Sequence, residues 1–172
     1  MASKLILAQK KDSTAFDPPG SEAEALRAAL RYLAYRSRSE AEVRQYLRRR
    51  GYAPAAAETV IEKLWSLHYL DEESLARSWA LTRAQSRGFG PKRIEQELRN
   101  KGIGQLLIRE ALRETFEQVD EAERAKRLLA KHFKGNDFTE PKTLRRAAAF
   151  LQRRGYSSNV IFNLLRYSIE DH

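Results

Sequence analysis

A chain of 172 residues with 42% hydrophobic side chains can bury a core, which argues against global disorder. It has no cysteine, which excludes disulfide staples and thiolate metal sites, and no run approaches the roughly 20 apolar residues a membrane helix needs. A net charge of +9, mostly from Arg and spread along the chain, points to nucleic acid or an acidic protein groove as partner, with a solvated surface as the plainer alternative.

Only 8 Gly and 5 Pro interrupt the chain, so long elements are expected, which favours helices. Residues 1–20 show no sustained period, end in Asp17-Pro18-Pro19-Gly20 and are expected to form a flexible arm. Within them Leu5-Ile6-Leu7-Ala8 is shorter than a signal-peptide core of about 7–15 residues, so a cytoplasmic protein is expected. From Ser21 the helix punctuation is regular. Ser21 with Glu24, and Ser39 with Glu42, form capping boxes in which side chain and backbone satisfy each other's donors. The first box opens a helix carrying Ala25, Leu26, Ala29, Leu30 and Leu33; the second opens one carrying Val43, Tyr46 and Leu47, stopped by Gly51. A third helix carries Val60, Ile61, Leu64 and Leu67. Asp71 then caps a fourth, with Leu70 placed to staple onto Leu75. Gly90-Pro91 opens a fifth with Ile94 and Leu98, ended by Gly102, and a sixth carries Leu106 to Leu112. Asp120 with Glu123 begins a seventh, Glu140-Pro141 an eighth that ends at Gly155, and Val160 to Leu165 lie in a ninth.

Three of these helix ends read alike: Leu47-Arg-Arg-Arg-Gly-Tyr52, Leu98-Arg-Asn-Lys-Gly-Ile103 and Leu151-Gln-Arg-Arg-Gly-Tyr156, with glycines 51 and 53 residues apart. The spacing predicts an all-α chain of three tandem three-helix repeats, over residues 21–70, 71–118 and 119–172, forming an elongated, curved body. Extended surfaces of that kind suit large partners.

These residues resemble the RecX family of bacterial recombinase regulators. The stretch from Gly88-Phe89-Gly90-Pro91-Lys92-Arg93 to Leu98, running into Lys101-Gly102-Ile103, is similar to the family's central repeat. Ser39 to Val43 with Leu47, followed by Tyr69-Leu70-Asp71-Glu72, is similar to its first, and Phe150 to Tyr156 is a looser match to its third. The resemblance implies an all-helical regulator that binds the RecA filament on DNA and suppresses its ATPase, strand-exchange and co-protease activities. It implies no cofactor and no catalytic residue. A monomer without a membrane partner is expected, and the resemblance leaves single- or double-stranded DNA open as an auxiliary partner.

Candidate contacts are the basic residues on the middle helix of each repeat: Arg44, Arg48 and Arg49; Lys92, Arg93 and Arg99; Arg145, Arg146 and Arg153. Cations in a last turn also favour the helix's negative end, which is sufficient reason for Arg50, Lys101 and Arg154 beside the three glycines. Tyr46, Tyr52, Phe89 and Tyr156 lie near these cations as interface anchors or as core, while Trp65 and Trp79 are expected in the core. Gly88-Phe89-Gly90 lacks the phosphate-loop pattern and a preceding strand, so it reads as a turn. His68, His132 and His172 are scattered, and the acidic pairs sit at helix starts, so neither a metal site nor catalysis is expected. A DNA-binding protein acting alone and an enzyme on nucleic acid remain the competing classes.

Overall fold

The computed structural model describes residues 20–117, 120–135, 138 and 140–170, with side chains described as far as residue 166. Among the described residues there are nine helices and no strand. They are α1 (Glu22–Ala34), α2 (Glu40–Arg49), α3 (Pro54–Ser66), α4 (Glu72–Arg87), α5 (Pro91–Asn100), α6 (Gln105–Glu117), α7 (Glu121–His132), α8 (Pro141–Arg153) and α9 (Ser158–Glu170). The expected N-terminal arm, apart from Gly20, lies outside the described residues, as does His172.

The expected caps form. Ser39 accepts from the Glu42 amide at 3.2 Å while Glu42 Oε2 accepts from the Ser39 amide at 3.1 Å, a reciprocal box. Ser21 accepts from the Glu24 amide at 3.2 Å, but Glu24 Oε2 reaches one residue further back, to the Gly20 amide at 2.7 Å. Asp71 accepts from Ser74, and Asp120 from Ala122 and Glu123.

The repeated motif is a helix stop. Gly51, Gly102 and Gly155 take φ of +85°, +80° and +84°, a left-handed turn that glycine enters without a Cβ penalty. In each, the residue after the glycine returns its amide to the leucine carbonyl: Tyr52 to Leu47 at 3.3 Å, Ile103 to Leu98 at 3.1 Å, Tyr156 to Leu151 at 3.2 Å. The apolar residues at both ends of that bond explain why the motif begins with Leu and ends with Tyr or Ile. A fourth stop closes α3, where Tyr69 donates to Leu64 at 2.9 Å and His68 holds φ of +57° without being glycine.

The chain divides into two compact units. In the first, α1 packs on α3, burying Ala25, Ala28, Ala29, Val60, Ile61 and Leu64. The second unit holds residues 37–42 and the chain from Leu70 onward. Here α4 packs on α5 and α6 around Leu75, Ala76, Ala80, Ile94, Leu98 and Ile108. In the same unit α7 and α8 pack on α9 around Ala125, Leu129, Ala147, Phe150, Leu151 and Tyr156. Each buried Leu or Ile removes apolar area worth roughly 1.5–3 kcal/mol. Trp79 is half-buried against this core, as expected, whereas Trp65 is 38% exposed at the end of α3.

Two joints recur within the second unit, each seating a helix start on a glycine stop. At one, Ser39 Oγ donates to the Lys101 carbonyl, Lys101 Nζ meets Glu42 Oε1 at 3.0 Å, and the Ala41 methyl lies 2.5 Å from where a Cβ on Gly102 would stand. At the other, the Gly90 amide donates to the Arg154 carbonyl at 2.8 Å and the Lys92 amide to Gly155 at 3.1 Å. A helix's first amides and another helix's final carbonyls both lack internal partners, so each joint satisfies the two deficits together. Space is tight: a Cβ on Gly155 would lie 2.3 Å from the Arg93 nitrogen, and one on Gly90 would lie 2.6 Å from Gly155. This close approach gives the Gly88-to-Arg93 stretch its unusual composition.

Candidate protein and nucleic-acid interface

The nine sequence-derived cations fall into three groups once their neighbours are known. Arg44 forks onto Glu58 of α3, with Nε and Nη2 each 2.8 Å from a carboxylate oxygen. The hydrogen bond from Arg44 holds the Glu58 carboxyl below the usual range. Arg93 lies 4.0 Å over the Phe89 ring and donates to the Arg153 carbonyl at 3.1 Å. Arg99 meets Glu95 at 2.6 Å and Gln105 at 3.2 Å. Arg44 and Arg99 brace their own repeats, and Arg93 ties the second repeat to the third. Arg48, Arg49 and Lys92 are exposed, with no ion-pair partner for their side chains among the described residues.

The third module differs. Arg145, Arg146 and Arg153 share one stripe of α8 with Lys142 and line a groove of about 440 Å³. No carboxylate is among its lining residues, taken over the described residues. Arg145 Nε is tethered to the Pro141 carbonyl at 3.2 Å, and Arg146 lies 5.9 Å over Phe133. The groove wall is aromatic: His132 stacks on Phe150 with ring centroids 4.3 Å apart and planes 13° from parallel. The structure therefore brings together the three cations of this repeat and adds Lys142, His132 and Phe150. Lys142 was legible, since positions 142, 145, 146, 149 and 153 fall on one helical face. The His132–Phe150 stack was not, because it joins two helices.

On the other side of that stack lies a cleft of about 740 Å³ that includes Arg87, Arg124, Arg127, Lys131 and Arg154 in its lining. Its carboxylates are Asp120, which caps α7, and Glu123, which lies 3.7 Å from Arg127. Arg124 donates to the Ala84 carbonyl, yet its Nε is buried without a hydrogen-bond partner. The α7 cations escaped the sequence reading because that reading followed only the middle helices.

Of the aromatics, Tyr156 is core: 2% exposed, with burial pushing its hydroxyl up to about 12. Tyr46 stacks on Tyr32 at 4.1 Å. Trp79 is held between Arg83 and Lys101, at 4.1 and 4.2 Å, and donates to Glu97 at 3.0 Å. Among the described residues no three metal-ligating side chains converge, and no helix is long and apolar enough to cross a membrane.

Comparison with known proteins agrees with this modular layout. Residues 25–64, 71–112 and 119–165 match, in order, the first, second and third three-helix domains of RecX. The regulatory protein RecX of Trichlorobacter lovleyi is 37% identical over 139 residues, covering 80% of this chain and 90% of that protein. Its counterpart from Halorhodospira halophila is 36% identical over 143 residues, covering 83% and 87%. The crystal structure of RecX from Lactobacillus salivarius shares the fold, with a TM-score of 0.74 at 23% identity over 88% of this chain and 97% of that one. With all three domains matched in series, this chain belongs to the RecX family of regulatory proteins.

Proposed function

We propose that this protein binds the RecA recombinase filament and inhibits its ATPase, strand-exchange and co-protease activities, acting in the cytoplasm by association and without catalysis of its own. The observation that carries this reading is the match of three RecX domains in series, together spanning residues 25 to 165. The chemistry is compatible: a recombinase filament on DNA is polyanionic, and the α8 groove offers Lys142, Arg145, Arg146 and Arg153 with no carboxylate among its described lining residues. Arg48, Arg49 and Lys92 are the remaining exposed cations of the candidate set. Binding favours whichever filament state presents the better-matched surface, and shifts the equilibrium only by that difference in affinity.

The test is RecA's DNA-dependent ATPase with increasing amounts of this protein. The rate should fall by stoichiometric ratios; an undiminished rate at saturation refutes the proposal. A second reading, non-specific DNA binding without a recombinase, is favoured by the exposed His132 ring, backed by buried Phe150 and beside the same cations, since an aromatic face accepts a base and arginines bind phosphates. It predicts salt-steep binding to DNA alone, and any fall in the ATPase rate should then be reversed by excess DNA.

A further inference from the structure

Among the described residues, no helix start seats on the glycine stop of α2. Gly102 and Gly155, in the same register, each have a close neighbour at 2.5 and 2.3 Å from a built Cβ, whereas no described residue lies within 4 Å of one on Gly51. Arg50 is exposed, while Lys101 at the matching position is only 9% exposed and paired with Glu42. Among the described residues, no donor reaches the Arg50 carbonyl, whose counterparts on Lys101 and Arg154 each accept a hydrogen bond.

The chain also carries a matching plug. Ser39-Glu40-Ala41-Glu42, which fills the stop of α5, is repeated letter for letter as Ser21-Glu22-Ala23-Glu24 at the start of α1. The local chemistry repeats as well. Ser21 Oγ and Ser39 Oγ each accept the amide three residues on at 3.2 Å, leaving the hydroxyl proton to donate. Glu42 uses Oε2 for its cap and Oε1 for Lys101; Glu24 uses Oε2 for its cap and has Oε1 left over. Ala23 is exposed, as the residue over an open glycine must be.

We infer that the start of α1 in one copy of this chain seats on the stop of α2 in another. Ser21 Oγ donates to the Arg50 carbonyl, Ala23 covers Gly51, and Glu24 pairs with Arg50, as Ser39, Ala41 and Glu42 do at Lys101-Gly102. Each copy offers one plug and one socket, so the contact propagates head-to-tail or closes as a pair when both plugs seat at once. The patch is small, so the association is weak, on the order of 100 µM. It replaces the monomer expected from the sequence by short, concentration-dependent chains or pairs, and it does not depend on the recombinase reading.

The test is sedimentation equilibrium of the full chain up to about 1 mM, a range set by that affinity. The weight-average mass should climb above that of the monomer. Arg50→Glu and Glu24→Lys should each abolish the rise, and the double variant, which restores opposite charges, should recover it; circular dichroism checks that each variant folds. A single monomer mass throughout the range overturns the inference. So does an assembly indifferent to Arg50→Glu, which assigns the contact to another surface.

Discussion

The stops of α2 and α8 are nearly identical in sequence, Leu-Arg-Arg-Arg-Gly-Tyr against Leu-Gln-Arg-Arg-Gly-Tyr, and nearly identical locally, with glycine φ of +85° and +84°. Their surroundings are opposite. No described residue lies within 4 Å of a Cβ built on Gly51, while Gly155 is buried against the Arg93 backbone and its carbonyl accepts the Lys92 amide. The same six-residue device serves as a plain helix terminus in one place and as a socket for another helix in the other. Local hydrogen bonding fixes the stop; contacts distant in sequence decide whether it is a joint.

The sharpest way to break this comparison is to place the same methyl group in both. Gly155→Ala should cost upwards of about 3 kcal/mol, because left-handed strain adds to a backbone clash that cannot relax. Gly51→Ala carries only the strain, about 1 kcal/mol, so chemical denaturation of the two variants should separate clearly. Equal losses would mean that the Gly90–Gly155 contact carries no weight. Between these in size is a contrast of cations, read as affinity for RecA filaments on DNA. Replacing Arg145 and Arg146 together by Ala should weaken binding by roughly tenfold, whereas Arg99→Ala, already held by Glu95, should change it by less than about twofold.

Smaller effects sharpen the joint itself. Tyr156 donates to the Gly88 carbonyl at a long 3.4 Å, so Tyr156→Phe should cost no more than about 1 kcal/mol near neutrality. Burial raises this hydroxyl from 10.0 to about 12, so the folded chain holds the proton more tightly than the unfolded one. That contribution is intact below pH 10 and is lost as pH rises toward 12, so the Phe variant should show a shallower alkaline loss of stability. The smallest change is expected at Glu72, whose carboxyl is raised by burial, against the hydrogen bond it accepts from the Glu40 amide. A raised carboxyl favours the folded state when protonated, and that advantage disappears as pH climbs through its folded value. Glu72→Gln should therefore gain less than about 1 kcal/mol at pH 7 and nothing in acid, read from melting at the two pH values.

Much of the fold was legible because it is written in local rules. Caps at Ser39, Asp71 and Asp120, proline after Gly90 and Glu140, and glycine after each basic last turn all satisfy backbone groups within a few residues of themselves. The candidate site was legible only in part. Lys142, Arg145, Arg146 and Arg153 share a helical face, which spacing reveals, but nothing in spacing distinguishes them from Arg44. The difference lies in Glu58, fourteen residues from Arg44 on another helix. For Arg99 the partner was readable, since Glu95 stands one turn before it on the same helix. Trp65 was misplaced for a related reason: a large apolar residue in an amphipathic helix is assigned inward, and only packing shows which edge of the stripe stays exposed.

The sequence by itself determined nine helices, their starts and stops, and the threefold recurrence of one glycine-ended helix, because these depend on hydrogen bonds closed over three to six residues. Tertiary structure alone decided which stops receive a helix start, which arginines are neutralised and which gather in the α8 groove. Those outcomes depend on carbonyls and carboxylates up to about sixty residues away in the chain, and no local pattern records where folding will bring them.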